Sequence, residues 1–233
     1  MGPNPDRRLV PGTKRRSDTF RHARLGELLG ERGLAAMAVT DLVNIRWLTG
    51  FTGSNALVAV LPDEIVLVTD GRYADRAAAE TSARIEVGFT QAEQLDLFVA
   101  ALQGFDQVGA ESAKLTHSRW EALAAELPLT PADGLVEDLR RVKDVDEIAL
   151  IEAGAAAADA ALAEVAPLLL PGSGLTEHDV RTELEYRMRL HGADGPSYDT
   201  IVAAGPDHAA RPHHEPTRRE IVEGDTVVIR SEE

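Results

Sequence analysis

Apolar residues along the chain keep two rhythms, a spacing of three and four and short unbroken runs, and the switches between them mark the elements. The stretch Phe20-Arg-His-Ala-Arg-Leu-Gly-Glu-Leu-Leu has helical spacing, with Ser17 and Asp18 as caps before it and Gly33 as its stop. A strand is expected over 34–40. The runs 56–61 and 64–69 are short, apolar and rich in β-branched residues, and Pro62-Asp63 between them predicts an antiparallel hairpin. With so little polar surface, that hairpin needs cover. Helical patterns at 72–82, 91–103 and 116–126, with short strands near 84–88 and 107–111, supply it, and the alternation describes a layered α/β domain.

The pattern changes at Lys143. From Asp144 the chain runs into an alanine-dense stretch to Ala166, the strongest intrinsic helix signal in the sequence, ended by Pro167 and by Pro171-Gly172. A second helix is expected over 176–191, with Glu177 and Asp179 in its first turn, where the helix dipole favours negative charge. Two late strands, 199–204 and 226–230, are joined by a loop rich in His, Pro and Arg. The organisation expected is therefore a tail at 1–18, one domain at 19–142 and another at 143–233.

Composition narrows the class. Hydrophobic residues are 44% and charged residues 27% of the 233, the mixture of a globular chain and not of a collagen-like or fully disordered one. No window reaches the ~20 apolar residues that cross a bilayer, and no apolar segment near the N-terminus resembles a secretory signal. Cysteine is absent, which removes disulfides, thiolate nucleophiles and zinc–sulfur sites. A cytoplasmic protein without membrane contact is expected. The formal charge of −15 hides an uneven distribution. Arg7, Arg8, Lys14, Arg15, Arg16, Arg21 and Arg24 face only Asp6 and Asp18 in the first 24 residues, so 1–18 is expected to be a disordered basic tail, with an RNA or membrane contact as the alternative, and the rest is more acidic than the whole. Such a body repels phosphate backbones, which argues against a nucleic-acid partner.

Candidate chemistry concentrates late in the chain. Gly50-Phe51-Thr52-Gly53-Ser54-Asn55 lacks the GKS or GKT of a phosphate loop, and Ser54 lacks a nucleophile-elbow context, so both indicate a tight turn. His208, His213 and His214 lie within seven residues beside Asp207 and Glu215. Imidazoles on a loop between two strands suit proton transfer or carbonyl polarisation, and equally a solvated turn, since no H-E-x-x-H spacing accompanies them.

Several motifs in order resemble one family. Asp41-Leu-Val-Asn44-Ile-Arg46-Trp47-Leu-Thr-Gly50-Phe51-Thr-Gly53-Ser-Asn and Thr69-Asp70-Gly71-Arg72-Tyr73 are similar to the N-terminal domain of Xaa-Pro aminopeptidases and prolidases, relatives of creatinase. Leu139-Arg-Arg-Val-Lys143-Asp-Val-Asp-Glu147-Ile resembles the entry into their catalytic domain, and Ser197-Tyr-Asp-Thr-Ile-Val-Ala-Ala-Gly-Pro with Arg-Pro-His213-His214-Glu-Pro-Thr resembles the start of the metallopeptidase core. The resemblance implies an α/β N-terminal creatinase-type domain followed by an incomplete α+β pita-bread catalytic domain, associating with itself through the N-terminal domain. Its substrates would be proline-containing peptides, and its cofactors two divalent ions (Mn, Co or Zn) held by two Asp, one His and two Glu.

His213 matches the family histidine that contacts substrate beside the metals and can donate to the developing oxyanion; His214 is its neighbour. Arg46 lies on a segment that in relatives can approach an adjacent subunit's active site, where a guanidinium suits a peptide's C-terminal carboxylate; packing of the Arg46-Trp47 pair is the alternative. Asp70 and Tyr73 are expected at a turn and helix start.

The match stops at Gly224-Asp225-Thr-Val-Val-Ile229. The position of the first metal-binding Asp is Arg230, whose charge repels a dication. Asp225, Glu232 and Glu233 are carboxylates but do not match the family's ligands, so no metal is expected to bind this chain and little or no peptidase activity is expected of it. A frameshift, stop or gene fragment is the expected origin of the change after Ile229. Two other readings remain open, a non-catalytic oligomerisation or interaction fragment and a creatinase-like amidinohydrolase ancestry.

Overall fold

The computed structural model describes residues 16–169 and 172–231. They form two compact units, divided between Val142 and Lys143.

In the first unit, α1 (Arg16–Glu31), β1 (Ala36–Val39), α2 (Leu42–Thr49), β2 (Ala56–Val60), β3 (Ile65–Thr69), α3 (Ala74–Glu80), β4 (Arg84–Val87), α4 (Gln91–Leu102), β5 (Val108–Ala110), α5 (His117–Ala124), β6 (Leu129–Pro131) and α6 (Leu135–Arg141) follow one another. The strands make one mixed sheet in the order β4-β3-β2-β1-β5-β6. Its centre is the antiparallel hairpin expected from sequence, with Val58 opposite Leu67, and β4, β5 and β6 add in parallel at the sides. Side chains alternate across it. Met37, Val39, Val58, Val60 and Leu67 pack with Leu25, Ile45, Leu48 and Leu135 on one face. Ala36, Ala38, Ala59, Val66 and Val68 pack with Phe98, Leu102 and Leu123 on the other. Helices therefore cover both faces, as the apolar hairpin required.

Helix α1 starts at Arg16 and so takes in the residues read as its caps. The rest of the expected tail, 1–15, lies outside the described residues. Helix α2 was not expected from periodicity. Asp41 caps it, accepting from the Val43 N–H at 2.8 Å, and Gly50 ends it in the left-handed region at φ 79°.

The second unit contains α7 (Val145–Val165), a 3₁₀ turn at Ala166–Leu168, α8 (Glu177–Leu190), β7 (Ile201–Ala204), the single turn α9 (Gly205–His208) and β8 (Val227–Arg230). Asp144 and Glu147 form a capping box that starts α7, and Thr176 and Asp179 form another that starts α8. Val180, Leu184 and Met188 recur every fourth residue along α8 and meet Ala161 and Val165 of α7 together with Val202, Ala204 and Ile221. Strands β7 and β8 pair antiparallel, with Ile201 opposite Arg230. None of the described helices is long and apolar enough to cross a membrane.

Candidate functional site

The loop between β7 and β8 is built on one carboxylate. Glu177, the first residue of α8, has no side-chain exposure. Its Oε1 accepts the Ala204 N–H at 2.7 Å and lies 2.8 Å from His208 Nδ1. Its Oε2 accepts the Thr217 N–H at 3.0 Å and the Thr217 hydroxyl at 2.8 Å, and lies 2.9 Å from His214 Nε2. The loop backbone reciprocates. The Arg219 and Thr217 carbonyls accept the N–H groups of Glu177 and His178 at 3.1 and 3.0 Å, so donors that α8 leaves open at its first turn are used to seat the loop. The rings of His208 and His214 lie 4.2 Å apart at 31°.

Burial would push the Glu177 carboxyl up, but donors from His214, Thr217, Ala204 and His208 outweigh it and hold the group down at about 2. It is therefore ionised and can only accept. That fixes the two imidazoles as donors, His208 through Nδ1–H and His214 through Nε2–H.

A second clasp closes the loop further on. Arg219 donates to both oxygens of Asp225, at 2.7 and 2.9 Å, and these bonds hold the Asp225 carboxyl below its ordinary value. Gly205 sits beside this pair at φ 75°, where a Cβ would lie 2.5 Å from Arg219 Nη2.

Of the three histidines, His214 is buried, His208 is half-buried and His213 is exposed. Only His213 faces water as a solvated turn would have it. The neighbour, His214, is the anchor of the loop. The helix dipole accounts for an acid at Glu177, but one sequence carries no sign that its carboxyl turns inward.

In the first unit, Arg46 is exposed on α2, while the adjacent Trp47 is half-buried with the Arg21 guanidinium 4.6 Å above its ring. The start of α2 is fixed by Glu111, which accepts the N–H groups of Thr40 and Asp41 at 2.6 and 2.8 Å and the Asn44 amide at 2.6 Å. Asn44 also donates to Glu137 at 2.8 Å and accepts from Arg140 at 2.8 Å. Burial pushes the Glu111 carboxyl up, and nearby Glu137 adds to that against the donors. Asp70 and Tyr73 occupy the turn before α3, with Asp70 paired to Arg72 through both oxygens.

Residues 21–142 match the model of the creatinase/prolidase N-terminal domain, and residues 149–232 match metallopeptidase family M24. The chain belongs to the creatinase/prolidase family. It is 33% identical to an uncharacterized peptidase, YqhT, of Bacillus subtilis over 88% of this chain and 59% of that one. It is 26% identical to an Xaa-Pro dipeptidase of Pyrococcus horikoshii over 87% of this chain and 57% of the relative. Among solved structures it is similar to an Xaa-Pro dipeptidase from Bacillus anthracis, with TM-score 0.84 and 29% identity, covering 91% of this chain and 60% of that one. The chain thus spans about 60% of the length of these relatives.

Family M24 works with two divalent metal ions, and the residues present do not fit such a pair. Among the described residues the only group of three or more His, Asp or Glu with ligand atoms close together is Glu177, His208 and His214, within 4.8 Å of one another. Both Glu177 oxygens already carry donors, and both imidazole nitrogens nearest them carry the protons of those bonds. Asp225 is engaged by Arg219. Glu232 and Glu233 lie outside the described residues.

Proposed function

We propose that the chain is the N-terminal domain and the opening part of the catalytic domain of a cytoplasmic metallopeptidase that cleaves the bond before proline. The observation that carries the reading is the histidine loop in the M24-matching region, tied down at His208 and His214 with His213 left exposed between anchored residues. An imidazole held in that way can donate a hydrogen bond to a substrate carbonyl as it gains negative charge, without first paying to order a mobile loop. The names of the relatives, Xaa-Pro dipeptidases among them, support a proline-containing peptide as the substrate.

Arg46 is proposed to meet the C-terminal carboxylate of a short peptide; its exposure on a capped, anchored helix suits that role. The N-terminal unit is proposed as the surface through which copies associate, and sedimentation as a monomer at every concentration would remove that element. These 233 residues by themselves turn over no Xaa-Pro peptide, because the donors described hold no pair of dications.

The test has two arms. The chain is assayed on Ala-Pro and Leu-Pro with Mn²⁺ or Co²⁺, with no turnover expected. It is then joined through Ile229 to the remaining part of the Bacillus subtilis relative, with proline release expected and lost in His213→Ala. Equal turnover by that variant, or cleavage of creatine in place of the dipeptides, would overturn the reading.

A further inference from the structure

We infer that Glu177 is a positioning residue, whose carboxylate locks His208 and His214 in opposite tautomers and so sets the direction in which His213 is presented. The inference rests on the reading of His213 as a substrate contact. Five donors from four residues converge on this one side chain, and they come from separate places in the second unit: Ala204 ends β7, His208 ends α9, and His214 and Thr217 lie on the segment that returns toward β8. No other described side chain bonds to all of these parts. His213 is one peptide unit from His214, whose ring is held by Glu177 on its edge and by His208 on its face. A turn closed by the Arg211 N–H on the His208 carbonyl at 2.9 Å fixes the approach from the other side. Release of Glu177 would free both ends of the segment that carries His213.

The geometry assigns a pattern that simple packing does not. Because the carboxylate can only accept, His208 must carry its proton on Nδ1, the less common neutral form of a free imidazole, whereas His214 must carry it on Nε2. An asparagine amide occupies nearly the place of Nδ1–H, and a glutamine amide nearly that of Nε2–H. His208→Asn and His214→Gln should therefore keep the hold, and the crossed variants His208→Gln and His214→Asn should lose it. A packing role would treat each pair alike. A metal-ligand role would lose all four.

The experiment uses the full chain labelled with ¹⁵N. Long-range proton–nitrogen spectra at neutral pH are expected to show the Nδ1–H form at His208 and the Nε2–H form at His214. Reaction with diethyl pyrocarbonate is expected to modify His213 freely, with His214 protected by about ten- to a hundredfold, the range that a hydrogen bond to a charged group supports. In Glu177→Gln the His208 signal should move toward the Nε2–H form and His214 should lose protection while the helical circular dichroism stays. Retention of the hold in His208→Asn and His214→Gln, read at the histidine that remains, and its loss in the crossed variants, supports the inference. It is overturned by the same tautomer at both rings, by unchanged protection in Glu177→Gln, or by stoichiometric Zn²⁺ or Mn²⁺ binding that all four histidine variants abolish. Titration with Ala-Pro separates the two readings: if His213 does not respond while the tautomer pattern holds, the substrate role of His213 fails and the hold by Glu177 stands.

Discussion

Truncation of Glu111 to alanine should loosen the start of α2 and with it the placement of Arg46. Three donors converge on that carboxyl at 2.6–2.8 Å, and two of them are the backbone N–H groups of Thr40 and Asp41, which would need another acceptor. Hydrogen bonds to a charged group contribute ~1.5–3 kcal/mol each, and a buried donor left alone costs ~1–3 kcal/mol. Against this stands the burial of the charge, which pushes the Glu111 carboxyl up and is relieved when the group is removed. The balance for Glu111→Ala is a loss of about 2–4 kcal/mol, and for Glu111→Gln, which keeps one acceptor and loses the buried charge, about 1–2 kcal/mol.

The sign with pH follows from the raised value. The folded state binds the proton more readily than the unfolded state, so stability falls as pH rises from about 4.5 through the raised folded value, and the cost persists at neutral pH. In Glu111→Gln that fall should vanish. Both tryptophans, Trp47 and Trp120, belong to the first unit, so tryptophan fluorescence in urea follows it alone. A change below about 0.5 kcal/mol for Glu111→Ala, or equal damage from the glutamine and alanine variants, would refute the reasoning.

The second unit yields three further outcomes, all read by circular dichroism during unfolding. His214→Ala should cost about 1.5–3 kcal/mol through loss of its bond to Glu177, whereas exposed His213→Ala should stay within about 0.5 kcal/mol of the parent. Gly205→Ala should destabilise by at least about 1–2 kcal/mol, because a left-handed φ of 75° and the Arg219 side chain both exclude a Cβ there. Glu177 acts with pH in the opposite sense to Glu111: its lowered folded value means stability present above about 4.5 and lost as pH falls toward about 2, and Glu177→Gln should flatten that acid slope.

Much of the fold was legible because it follows from burial. The hairpin at β2 and β3 was readable from two apolar runs around Pro62-Asp63, and α7 and α8 from alanine content and capping residues. Helix α2 was missed because Leu42-Val-Asn-Ile-Arg-Trp-Leu-Thr has no helical apolar stripe; Asp41 before it and Gly50 after it were the available signals. Strand β6 and helix α6 were missed too, since β6 ends on Pro131, which argues against a strand, and α6 starts after Gly134 with no capping side chain to announce it.

The site was only half legible. Chain proximity gathered His208, His213 and His214, but which imidazole turns inward depends on Glu177, 31 and 37 residues away from the two that it binds. Asn44 and Glu111 were missed for the same reason, because 67 residues separate the partners of their bond. Polar contacts of that range leave no periodic trace in one sequence.

The central proposal is that His213 is presented to peptide while the described residues offer no donor set for two metal ions. Equilibrium dialysis of the full chain against Mn²⁺ or Co²⁺, followed by elemental analysis, measures this directly. No ion retained in proportion to protein is expected. Two ions per chain would contradict it.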